Sequence, residues 1–102
     1  MAVNLVVRFR RPPNPEAFLA HYREVHAPLV QRFPGLVAFS HGPVTPLAGA
    51  ADWFYLAVAT FADRAQLDAA LASEAGRASG RDARAFADGL FDIVVQEEVS
   101  PS

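Results

Sequence analysis

Apolar positions along Ala2–Phe9, interrupted only by Asn4 and Arg8, form a short β-branched run that predicts a first strand. Arg10-Arg11-Pro12-Pro13 ends it, because consecutive prolines cannot continue a ladder. From Pro15 the apolar period becomes helical. Phe18, Tyr22, Val25, His26, Leu29 and Phe33 fall within one arc roughly 100° wide, with Glu16, Ala20, Arg23, Glu24, Ala27 and Gln31 opposite. Asn14 is placed to cap the free amides, Pro15 suits the first turn and Glu16 complements the dipole. The helix is expected to run to about Ala27. Pro28 removes the amide that would bond the Glu24 carbonyl and pushes Ala27 from helical angles, so the helix must end or kink there.

Pro34-Gly35 reads as a turn, followed by strand two over Leu36–Val44 and a loop from Pro46 to Asp52. Trp53–Phe61 is the third strand. Asp63 caps a second helix through Leu71, which Gly76 and Gly80 are expected to break, and Arg81–Ala87 adds a further turn or two. Leu90–Val99 is the fourth strand, giving the order βαββαβ in one domain over all 102 residues. Strand three is apolar on both faces, whereas an antiparallel strand with one wet side alternates with polar residues. Two helices cover one face only. The other calls for a second layer, and a second copy of the sheet is the simplest supplier. The expectation is an α+β, ferredoxin-like split βαβ fold, an antiparallel sheet of order 4-1-3-2 with helices on one face, dimerising sheet to sheet.

The apolar fraction of 52 % is high for so short a chain, which agrees with a partner subunit. The net charge of -2 gives no footprint for nucleic acid. All nine basic residues are arginine, so Schiff-base chemistry on a lysine is excluded. There is no cysteine, hence no disulfide, thiol nucleophile or thiolate metal site. No apolar run reaches membrane-spanning length and no secretion signal is evident, so a cytoplasmic protein is expected.

An imidazole on the apolar side of a helix is costly unless something satisfies or uses it. His26 stands one turn after Tyr22, and the two can touch or share a bound molecule. Imidazole carries protons near neutral pH; burial would lower its pKa and the helix C-terminus would raise it. The alternative is a packed histidine bonded to a carbonyl or an acid. His21 falls at the edge of the arc as a half-exposed residue, and His41 lies late in strand two. Their spacing makes no metal site, and none is expected. Asp82 and Asp88 flank Phe86; an acid there orients His26 if the later helix packs beside the first, and otherwise serves as a cap or a surface charge. Trp53, Phe54 and Tyr55 supply aromatic area for a core or for a planar ligand.

Phe18…Tyr22-Arg23-Glu24-Val25-His26-Ala27-Pro28-Leu29, then Pro34-Gly35-Leu36, and downstream Ser73-Glu74-Ala75-Gly76 through Asp82…Phe86-Ala87-Asp88-Gly89, resemble the EthD-type branch of the dimeric α/β-barrel superfamily. The resemblance implies a homodimer whose sheets form a barrel, with a pocket between each sheet and its helices. Its members include cofactor-free monooxygenases, polyketide cyclases, lactone isomerases and proteins associated with degradation genes. It places the family histidine at His26, its tyrosine at Tyr22 and its acid at Asp82. Ligand contacts are expected at Phe18, Leu29, Phe39, Trp53 and Phe86. Isomerases that use a cysteine are no guide to this cysteine-free chain, and the ligand pattern of haem-degrading relatives is not matched. Two functions follow: an enzyme without metal or organic cofactor, moving a proton on a compact apolar or aromatic carbonyl compound through His26 and Tyr22; or a module that binds a hydrophobic metabolite. Haem ligation by His26 is a third.

Overall fold

The computed structural model describes residues 1–99. Four antiparallel strands, β1 (Val3–Arg10), β2 (Leu36–Pro43), β3 (Trp53–Phe61) and β4 (Phe91–Glu97), lie in the order β2-β3-β1-β4. This is the expected 4-1-3-2 arrangement read from the other edge. Central β1 pairs with β3 (Leu5 opposite Ala59) and with β4 (Leu5 opposite Val95), so both internal ladders of the split βαβ unit are antiparallel. Gly35, at φ +77°, makes the turn after Pro34 that enters β2.

The helical layer is α1 (Pro15–His21), a π-helical turn (Tyr22–His26), α2 (Ala27–Gln31), α3 (Arg64–Ala72) and α4 (Glu74–Ala87). Asn14, Asp63 and Ser73 cap α1, α3 and α4 by accepting the amides of Ala17, Gln66 and Gly76 at 3.1, 2.9 and 3.1 Å.

Two expectations about the helices are corrected. Pro28 does not end the first helix, and Ala27 keeps helical angles (φ -58°, ψ -43°). The Ala27 amide bonds the Tyr22 carbonyl, five residues back, and Pro28 falls where this wide turn hands over to α2. The amide it lacks would have served the Arg23–Glu24 side, where both residues are exposed. The extra residue in the turn also shifts the buried stripe. Ala27 and Val30 are buried, while Val25 is exposed and Leu29 half-buried. Gly76 and Gly80, expected to break the second helix, lie inside α4. A Cβ on Gly76 would press on the Ala70 carbonyl oxygen and come within 2.6 Å of that of Leu71, so the glycine lets α4 start directly against the end of α3.

Two clusters fill the space between helices and sheet. Val3, Leu5, Phe61 and Ala59 pack with Val30, Phe33, Leu67 and Ala70 at one end. Phe9, Tyr55 and Ala57 pack with Phe18, Tyr22, Ala27 and Ala87 at the other. The open sheet face carries Val6, Leu56, Val58 and Val94 between an Arg8–Asp92 ion pair (3.1 Å) and a network in which Asn4 donates to Gln96 and Glu98 and accepts from Thr60. No helix among the described residues is long and apolar enough to cross a membrane.

Candidate active site

Between the two clusters a cavity of about 140 Å³ remains open. Leu5, Val7 and Phe9 of β1 form its floor, Phe39, Ala57 and Ala59 extend the sheet side, and Gly76, Ser79, Gly80 and Ala83 of α4 leave the room above. About 150 Å³ holds one benzene-sized ring. Polar groups are few: Tyr22, His26, Ser79 and Arg84.

The π-helical turn begins at Tyr22 and ends at His26, bringing both rings to the cavity with centroids 5.0 Å apart. His26 is only 5 % exposed. Its Nδ1 lies 2.9 Å from Oδ2 of Asp82, which α4 projects between the helices. The same carboxylate receives His21 Nε2 at 2.9 Å on Oδ1, and the His21 ring stacks on Phe86 at 4.4 Å. A carboxylate accepts, so Nδ1–H of His26 donates and the neutral ring keeps its lone pair on Nε2. Among the described residues nothing bonds Nε2 or the Tyr22 hydroxyl, and neither is sealed from space.

Burial pushes the His26 pKa below the ordinary imidazole value; Asp82 opposes the shift, while His21 and His41 reinforce it. Burial, then the nearby Tyr55, raises the Tyr22 hydroxyl, which therefore stays protonated across the working range. His41 Nδ1 meets the Tyr55 hydroxyl at 2.7 Å, and desolvation lowers that imidazole too. The result is an imidazole biased toward its neutral form beside a protonated hydroxyl, on two residues that line an apolar hollow.

Of the residues expected at the site, Tyr22, His26 and Phe39 line the cavity, and Asp82 holds His26 from behind. Phe18, Leu29, Trp53 and Phe86 do not line it. Phe18 and Phe86 pack behind Tyr22 and Phe9, and the π-helical turn rotates Leu29 off the buried stripe. Trp53 sits under the guanidinium groups of Arg8 and Arg10 at 4.4 and 5.1 Å. A register break between Phe9 and Arg10 turns it from the helix face, while Phe54 packs on Phe18 instead. His21 is half-buried, in keeping with its expected place at the edge of the arc, but its bond to Asp82 and the place of Arg84 on the cavity wall were not anticipated. The spacing Gly76-x-x-Ser79-Gly80-x-x-Ala83 was the available signal, a small-residue face at helical period. Among the described residues no three His, Asp or Glu side chains are arranged to hold a metal ion.

Topology and site together define a ferredoxin-like domain with an ionisable pair at the edge of an apolar cavity. A model of the EthD domain matches residues 10–90, and the chain belongs to the EthD family. It is 32 % identical over 95 residues, 92 % of each chain, to an uncharacterised 11.0 kDa protein from the thcB-thcC intergenic region of Rhodococcus erythropolis. The crystal structure of an EthD family protein from Bacillus halodurans is similar at TM-score 0.91 and 30 % identity, over 97 % of this chain and 100 % of that one. SnoaB, a cofactor-independent oxygenase from Streptomyces nogalater, shares the fold at TM-score 0.71 and 21 % identity, over 98 % and 95 %. So does a dimeric ferredoxin-like protein from Jannaschia sp. at 0.74 and 20 %, over 96 % and 100 %.

Proposed function

We propose that this protein is an acid–base enzyme for a compact apolar or aromatic carbonyl compound, with His26 and Tyr22 as its working pair and no organic cofactor in the step they perform. One observation carries this: His26 lines the cavity with its Nε2 unpartnered among the described residues, while Asp82 fixes its other nitrogen. The C–H bond next to the carbonyl breaks and its proton passes to Nε2. The electron pair becomes the C=C bond of an enolate, whose oxygen accepts from the Tyr22 hydroxyl. Returning the proton at another carbon is isomerisation; cyclisation and dehydration also proceed from this enolate, as does oxygenation when dioxygen is the co-reactant. The test is deuterium exchange into the methyl group of acetophenone in D₂O, followed by proton NMR. The protein should accelerate it above buffer, and a rate equal to buffer would defeat the reading.

The pH profile gives a second check. The base works when neutral, and its pKa is lowered, so the exchange rate should hold to below about pH 6.5 before falling. Tyr22 works when protonated and its pKa is raised, so no alkaline loss should appear up to about pH 10. Asp82 supports the imidazolium, so Asp82→Asn should move the acid limb to still lower pH and slow exchange by about 10–100-fold. An unmoved acid limb would remove Asp82 from the mechanism.

The same reading assigns the open sheet face to a second copy of this chain. Support comes from the apolar Val6, Leu56, Val58 and Val94 on that face and from fold neighbours described as dimeric. Sedimentation should report a dimer of the 11.0 kDa chain, and Val58→Arg should yield monomer.

A further inference from the structure

The cavity has a cation at its mouth that the acid–base step does not use. Arg8, Arg23 and Arg64 each meet an acid, and Arg10 and Arg11 lie over aromatic rings. Arg84 has neither partner among the described residues. Arg32, Arg77 and Arg81 are equally free, but among the described residues only Arg84 of these lines the cavity, and no described acidic residue lies on the cavity wall to offset it. Its position is set by α4. At about 100° per residue, Asp82 and Arg84 stand about 200° apart around the helix axis measured across the cavity face, with its small residues between them. One edge of that face therefore belongs to the His26 pair, and the opposite edge to a guanidinium. A Cβ on Gly80 would lie 3.5 Å from Arg84 Nη1, so the head group is drawn back over the turn that roofs the hollow. The nearby rim is apolar and open: Leu71 is 42 % and Ile93 52 % exposed, and both line the same space.

We infer that the ligand of this cavity is an anion, a compact apolar carbonyl compound carrying a carboxylate at the end remote from the carbonyl. The apolar middle fills the hollow, the carbonyl reaches Tyr22 and His26, and the carboxylate pairs with Arg84 at the mouth. Guanidinium binds carboxylate through two parallel N–H···O bonds, which fixes orientation as well as affinity. A molecule so held presents one end only to the base. The inference rests on the acid–base reading for the direction of the carbonyl, while the anion preference is measurable without turnover.

The test compares 4-acetylbenzoate with neutral 4-(hydroxymethyl)acetophenone, titrated into the full-length protein and into Arg84→Gln by proton–nitrogen NMR. 4-Acetylbenzoate should bind about tenfold tighter than the neutral analogue, as one charge-assisted pair allows. Arg84→Gln should remove that advantage, leaving the neutral analogue within about twofold of its original affinity. Shifts should gather at Tyr22, His26 and the Gly76–Arg84 stretch. Equal affinity for the two probes, an unchanged preference in Arg84→Gln, or no shifts at the cavity would each overturn the inference. These outcomes separate from the fate of the enzyme reading, which is judged by exchange alone: anion binding without exchange sinks the enzyme, and exchange without anion preference sinks the Arg84 pairing.

Discussion

His26→Ala should reduce deuterium exchange into acetophenone by about 10² to 10⁴-fold, down to the buffer rate, while leaving the fold in place. The size follows from the roles of the two nitrogens. In the proposed reaction Nε2 is the base, and no other imidazole stands ready to replace it, since His41 Nδ1 is engaged with Tyr55 and His21 bonds the other oxygen of Asp82. The fold should survive because Asp82 retains His21 as a donor after the ring is removed, so no carboxylate is left buried and alone. Circular dichroism of the variant should match the parent. Preserved exchange in a folded variant would end the case for His26.

Gly76→Ala should cost about 1–3 kcal/mol of stability or more, although alanine is the better helix former. Propensity alone predicts a gain. The added methyl would meet backbone, the carbonyl oxygens of Ala70 and Leu71, and backbone cannot swing aside as a side chain would. Either the cap by Ser73 breaks or α4 lifts from α3, and the helix that carries Asp82 moves with it. Chemical denaturation measures the loss, and an unchanged or higher midpoint would show that the two helices have slack. Gly80→Ala makes the contrast, since its nearest neighbour is the end of the Arg84 side chain, at an ordinary contact distance of 3.5 Å.

The sheet was legible because its signals are local. Trp53–Phe61 is apolar on both faces and bounded by Asp52 and Asp63, and the structure gives the same limits. The Tyr22–His26 pair was legible because adjacent turns of a helix meet whatever the fine pitch. What escaped was tertiary. Nothing in Tyr-Arg-Glu-Val-His marks a π-helical turn except the proline after it, so the buried stripe was placed on Val25 and Leu29 instead of Ala27 and Val30. Gly76 and Gly80 were read by propensity, while the close approach of α3 and the opening of the cavity decide their use. His21 finds its partner 61 residues away in Asp82, a distance over which no helical period carries information. Trp53 follows the alternation of its strand until the register break and then departs from it.

The hollow divides the interior, with Val7 and Phe39 packed against both halves. An occupant therefore touches both masses, which are joined through the sheet and through α2, where Ala27 belongs to one and Val30 to the other. Whatever fits adds RT ln(1 + [L]/Kd) to the folding free energy, about 2.7 kcal/mol at a hundredfold excess over Kd. The melting temperature thus becomes a detector of physiological ligands, usable on a metabolite collection before any reaction is known.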